Sequence, residues 1–155
     1  MTVDPIETTK ITIIQDERPN RRAYIEGFEE PLYFGVHGGV KEFYGVEPEI
    51  EYPLTLDHIV SAAGGWLTGT LAGALEAREI STFPDKLKGH FEGIIEEEKG
   101  ILKINRIRCH YELKIPIDKI KEAKRALDVF EQGCPVAQTL KGCIEFEHSW
   151  EIEKT

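Results

Sequence analysis

Cysteine is scarce in this chain, cations are outnumbered and no apolar run is long. The 155 residues hold three cysteines, Cys109, Cys134 and Cys143, with no C-x-x-C pairing. That excludes a disulfide-stapled scaffold and a thiolate metal knuckle, and it points to a reducing compartment where thiols stay free. The opening segment MTVDPIETTK shows no apolar leader, so a cytoplasmic protein is expected. Nineteen Lys and Arg stand against 28 Asp and Glu, for a net charge of -9 with no basic block. Nucleic acid and anionic membrane surfaces attract clustered cations, so neither is expected as a partner. The uncharged stretch Ile59–Leu75 has 17 residues, four of them glycine, short of the ~20 apolar residues of a spanning helix. It reads as a buried helix of a soluble domain. His37, His58, His90, His110 and His148 show no paired ligand spacing, and there is neither a phosphate-binding glycine loop nor a nucleophile elbow. No metal, nucleotide cofactor or serine-hydrolase chemistry is therefore expected.

What the chain does contain is a sequence of well-punctuated periodic segments. The bursts KITIIQ, RAYIEGF and PLYFGV, separated by Pro, Asn, Gly and Glu, read as three strands joined as a meander or as hairpins. From Thr55 the period changes to that of a long helix, with Thr55 as candidate N-cap, Asp57 in the first turn and Arg78 near the far end. Two strands follow. In the second, Ile107, Cys109, Tyr111, Leu113 and Ile115 alternate with Arg106, Arg108, His110, Glu112 and Lys114, the signature of a strand buried on one face. Ile120, Ala123, Leu127 and Phe130 recur at helical spacing, and GCPVAQTLK opens a further short helix with proline in its first turn. A last strand, CIEFEHSWEIEK, sets Ile144, Phe146, Trp150 and Ile152 against glutamates. The predicted order is βββ-α-ββ-αα-β, an α+β fold in one domain over residues 1–155.

Two stretches invite a chemical reading. On the long helix Ser61, Gly65, Gly69, Gly73 and Ala77 recur four apart, so they form one face almost without side chains, against which a helix, a strand or a ligand must come close. Each such glycine costs ~1 kcal/mol relative to alanine, which packing has to recover. Trp66, directly after Gly65 and on the side of Ala62, Ala63 and Thr70, fills space there as core, interface or ligand platform. In EQGCPVAQTLKGC, Cys134 takes the N-cap position with Pro135 first in the helix. Free N–H groups at that end can stabilise a thiolate, and an inert buried thiol is the alternative. Cys109 reads as a small core residue. A Cys134–Cys143 disulfide is possible but not forced.

The helix AAGGWLTGTLAGALEA followed by GCPVAQTLKGCIEF resembles the OsmC/Ohr family, named for osmotic induction and organic hydroperoxide resistance. The resemblance spans most of the chain and is weakest over the first fifty residues. It implies an intertwined α+β homodimer whose two central helices are buried by sheets, with a pair of thiol sites at the subunit interface. It also implies reduction of hydroperoxides by two cysteines: one in the central helix attacks, and one before the later short helix resolves the sulfenic acid as a disulfide. Cys134 matches the resolving position. Where the family reads GGC this chain has GGW, so Trp66 occupies the attacking position and the two-cysteine cycle cannot run. The family's arginine and acidic partners have Arg22 and Asp57 as their nearest counterparts here, each of which reads equally as an ordinary strand-end or first-turn charge.

Three functions follow. Cys134 alone reduces an organic hydroperoxide and is restored by an external thiol. Or the chain is a binding protein whose interfacial pocket takes a small apolar ligand against Trp66 and Gly65. Or Trp66 fills the pocket and the role is structural. A family member with altered or lost peroxidase activity is the expectation, since the attacking residue is missing.

Overall fold

The computed structural model describes residues 3–155, which form two units, one up to His58 and the other Ile59–Thr155. In the first, strands β1 (Ile11–Gln15), β2 (Arg21–Ile25) and β3 (Leu32–Phe34) make an antiparallel meander in the order β1-β2-β3. The three predicted bursts are these strands. Helix α1 (Gly39–Tyr44) follows and was absent from the predicted order. Its six residues carry no buried side chain, so no apolar period announces it, and the left-handed glycines Gly38 and Gly45 that bound it read as plain loop. The buried apolar set of this unit is small: Ala23, Val36 and Leu54.

Helix α2 (Thr55–Glu76) begins in the first unit and continues through the second. Thr55 is its first residue rather than its N-cap. Asp57, three beyond Leu54, reaches back to accept the Leu54 N–H at 2.8 Å, the return arm of a capping box. The Thr55 hydroxyl instead accepts from Arg21 Nη2 at 3.1 Å. At the far end Arg78 Nη1 donates to the Ala74 carbonyl at 2.7 Å, satisfying an acceptor left open by the helix end.

In the second unit, β4 (Leu87–Glu98) and β5 (Ile101–Ile115) form a long antiparallel hairpin with an irregularity at Ile94/Ile95. They turn through Lys99 and Gly100, both at positive φ, the conformation a two-residue turn of the right twist demands. Ile107, Cys109, Tyr111, Leu113 and Ile115 are all buried, as the alternation predicts. Helix α3 (Ile120–Val129) and helix α4 (Pro135–Thr139) then form the crossover that lets β6 (Glu145–Lys154) lie parallel to β5, in the order β4-β5-β6. Ala63, Leu67, Leu71 and Leu75 of α2 are buried, as are Ala123, Ala126 and Leu127 of α3. Each buried leucine contributes ~1.5–3 kcal/mol. The helix meets the sheet through glycines: a Cβ on Gly64 would stand 2.6 Å from the Phe91 ring, and one on Gly93 would strike Val60. Among the described residues no helix is long and apolar enough to cross a membrane.

Candidate functional site

The close approach falls on Gly64, not on the face four residues apart that the sequence singled out. Among the described residues a Cβ added at Gly65, Gly69 or Gly73 would meet nothing within 4 Å, so these three positions of α2 face open space. Trp66 lies on the same exposed side, 53% exposed. With Ala62, Gly65, Gly69 and Thr70 of α2 and Val136 of α4 it lines an open apolar trough of about 760 Å³. The indole forms one wall and does not fill the space.

Cys134 lies two residues before Val136, which lines this trough. It precedes Pro135 in the N-cap position, as the sequence indicated, and its carbonyl accepts the Gln138 N–H at 2.9 Å. Its thiol makes no cap hydrogen bond and the residue is 0% exposed. A helix of five residues sums few peptide dipoles, so the thiolate-stabilising environment expected at that end is slight. A Cβ on the preceding Gly133 would stand 3.9 Å from Thr70 Cγ2, which places the turn against α2 one helical turn from Trp66. Cys109 is buried too, and burial pushes its thiol up to about 12. Cys143 is exposed, and all three thiols are free.

Beneath the Cys134 turn is a polar cluster that the sequence reading passed over. His148 of β6 sits opposite Cys109 of β5. Its Nδ1 lies 3.3 Å from the Tyr111 hydroxyl, and its Nε2 lies 3.4 Å from Glu131 Oε2. Nε2 is buried and makes no hydrogen bond across that second approach. The ring is enclosed by Tyr111, Phe130 and Phe146 at centroid separations of 5.9, 5.2 and 6.4 Å. Burial disfavours the imidazolium and lowers the His148 pKa, with Glu131 opposing; burial likewise raises the Tyr111 pKa. The signal was available, since His148 shares the even-numbered face of Phe146 and Trp150.

The other two residues singled out by sequence lie in the first unit. Arg22 of β2 clamps Asp16 through Nε at 2.8 Å and Nη2 at 2.9 Å, and donates from Nη1 to the Tyr24 hydroxyl at 3.0 Å. The hydrogen bonds to Asp16 are the main cause of its raised pKa. Asp57 accepts from Leu54 and pairs with His37 Nε2; it borders a pocket of about 290 Å³ with His37, Glu51, Tyr52 and Pro53. Arg22 and Asp57 thus have separate partners and do not bond to each other. Among the described residues no group of three or more His, Cys, Asp or Glu is placed to hold a metal ion.

Residues 52–149, which span α2, the Cys134 turn and the first half of β6, match the family described as OsmC-like protein. The chain belongs to the OsmC-like family. Its fold agrees with solved members. The OsmC-like protein of Mycoplasma pneumoniae superposes with a TM-score of 0.73 at 16% identity, covering 96% of this chain and 99% of that one. An organic hydroperoxide resistance protein from Elizabethkingia anophelis gives 0.74 at 15% identity over 97% and 100%. The organic hydroperoxide resistance protein OhrB of Bacillus subtilis gives 0.65 at 10% identity over 95% and 100%. No curated protein matches the sequence. The OsmC-like assignment covers both stretches that carried the resemblance, including the one in which Trp66 stands.

Proposed function

We propose that this OsmC-like protein has lost the two-thiol hydroperoxide cycle and uses the trough around Trp66 to bind a small apolar molecule, as a homodimer in the cytoplasm. The observation that carries the reading is the contrast between two side chains. The indole at the attacking position is 53% exposed in an apolar trough, whereas Cys134, two residues before the trough's Val136, is 0% exposed. A peroxide oxygen has to reach sulfur in line to be reduced, so a buried thiol disfavours the alternative of a single-cysteine peroxidase recycled by an external thiol. An exposed aromatic face beside bare backbone is suited to stacking and shape selection. Because the structural relatives are named for organic hydroperoxide resistance, the ligand class proposed is the organic part of such molecules: a small alkyl or aryl alcohol or hydroperoxide, held and not reduced.

The dimer is supported by the same face. Among the described residues a Cβ on Gly65, Gly69 or Gly73 would meet nothing within 4 Å, and each glycine costs helix stability that only a close neighbour recovers. A second copy laid along this face would convert the open trough into a walled pocket.

The test is fluorescence titration of a Trp150→Phe protein, whose only indole is Trp66, with 2-phenyl-2-propanol, alongside a hydroperoxide-consumption assay with a dithiol donor. Saturable quenching without turnover is expected. Turnover by the parent protein that disappears in Cys134→Ser would establish the single-thiol enzyme instead.

A further inference from the structure

We infer that His148 is a proton-operated latch on the segment Phe130–Ala137, the segment that carries Cys134. The geometry joins the two through Glu131. Its carbonyl accepts the Cys134 N–H at 3.0 Å, while its carboxylate lies 3.4 Å from His148 Nε2. One residue therefore couples the turn to the ring. The groups that face His148 are Tyr111 and Cys109 from β5 and Glu131 with Phe130 from the turn; on β6 itself Glu147 and Ser149 flank it on the alternate positions of the strand.

A neutral imidazole suits this enclosure. Its Nδ1 meets the Tyr111 hydroxyl and its faces meet aromatic rings, and the orphaned Nε2 costs least when it carries no charge. On protonation both ring nitrogens become donors. Tyr111 serves one, but Nε2–H requires an acceptor, and Nε2 lies 3.4 Å from Glu131 Oε2 without a hydrogen bond to it. The Glu131 side chain is 42% exposed against 14% for His148, so the carboxylate draws the imidazolium outward, where water completes its hydration. Phe130 packs on both His148 and Tyr111, and moving the ring unseats it. The turn then opens, Cys134 gains solvent, and Val136 shifts at the edge of the trough. The burial-lowered pKa of His148 agrees in direction, because the charged ring is the form that the closed state penalises. The latch concerns the segment itself and does not depend on what the trough binds.

Hydrogen exchange of the full-length protein tests it. Protection of the Cys134, Gln138 and Leu140 amides, which donate to the Glu131, Cys134 and Val136 carbonyls of this segment, is followed between about pH 7.5 and about pH 5.5 with intrinsic exchange corrected. Protection is expected to fall roughly tenfold on acidification, with the β4–β5 amides unaffected. His148→Phe, which keeps a ring among the three aromatics, should hold the same protection at both pH values. As a second variant, Glu131→Gln removes the carboxylate 3.4 Å from Nε2 and should move the transition to lower pH, read independently from the His148 ring resonances. Protection that does not change with pH in the parent protein, or that falls equally in His148→Phe, would overturn the latch. So would a transition unmoved by Glu131→Gln.

Discussion

At the scale of single residues, two adjacent glycines of α2 do opposite things. Gly64 admits the Phe91 ring where a Cβ would stand 2.6 Å away, and Gly65 faces open space. Gly64→Ala should therefore destabilise the protein by ~1–3 kcal/mol through overpacking, partly offset by ~1 kcal/mol of helix propensity. Gly65→Ala should instead stabilise an isolated chain while weakening any dimer that closes on that face. Urea unfolding of both variants at low and high protein concentration separates the two effects. Trp66 gives a sharper test. Trp66→Cys places a thiol beside the Cys134 turn and removes an indole that is only half buried, so the cost is below the ~3–5 kcal/mol of a buried aromatic. The folded variant should reduce an organic hydroperoxide with a dithiol donor well above the parent, with a disulfide between the introduced thiol and Cys134 visible by mass spectrometry. A folded but inactive variant would show that the polar partners assigned by resemblance, Arg22 and Asp57, serve other ends here. In the parent, Arg22 bonds Asp16 and Asp57 pairs with His37.

Elements decide which thiols react. Strand β5 turns Cys109 inward with Tyr111, and the turn into α4 buries Cys134, while Cys143 precedes β6 in the open. Near pH 8 a thiol-alkylating reagent should label Cys143 quickly and the other two only when denaturant is added. A second fast site at Cys134 would revive the single-thiol enzyme. The β5–β6 pair also sets an acid limit on stability. The His148 pKa is lowered in the folded state from its ordinary 6.5. Below that ordinary value the unfolded chain takes up the proton more readily, so stability is complete above it and declines as pH falls toward the folded value. Thermal melts of His148→Phe should show a weaker decline over the same interval. A decline as steep as the parent's would place the acid sensitivity elsewhere.

For the whole molecule the open question is assembly. The described chain leaves Ile11, Ile13, Leu32 and Tyr33 of the first unit exposed, and Ile59 and Trp66 of α2 as well. Exposed apolar side chains on strands and on one side of α2 are suited to burial against a second copy. Sedimentation at micromolar concentration should give a dimer, and its dissociation on dilution should track the loss of secondary structure if the two are linked. A well-folded monomer under those conditions would remove the proposed dimer and the walled pocket with it.

The α+β class, most of the element order and the one-sided burial of β5 could all be read from the chain, because side-chain periods of 2 and 3.6 are properties of local backbone geometry. So could the missing attacking cysteine, which is a matter of residue identity. Other features were beyond local pattern. Helix α1 has no buried face to generate a period. That Gly64 rather than Gly65 meets a ring depends on how α2 is rotated against β4, which is settled by the sum of many apolar contacts and not by spacing along the helix. Whether Trp66 lines a space or fills it, and whether Cys134 is open or closed, are questions of exposure. Exposure is fixed only when distant segments pack together, and in this chain packing exposes the indole and encloses the thiol.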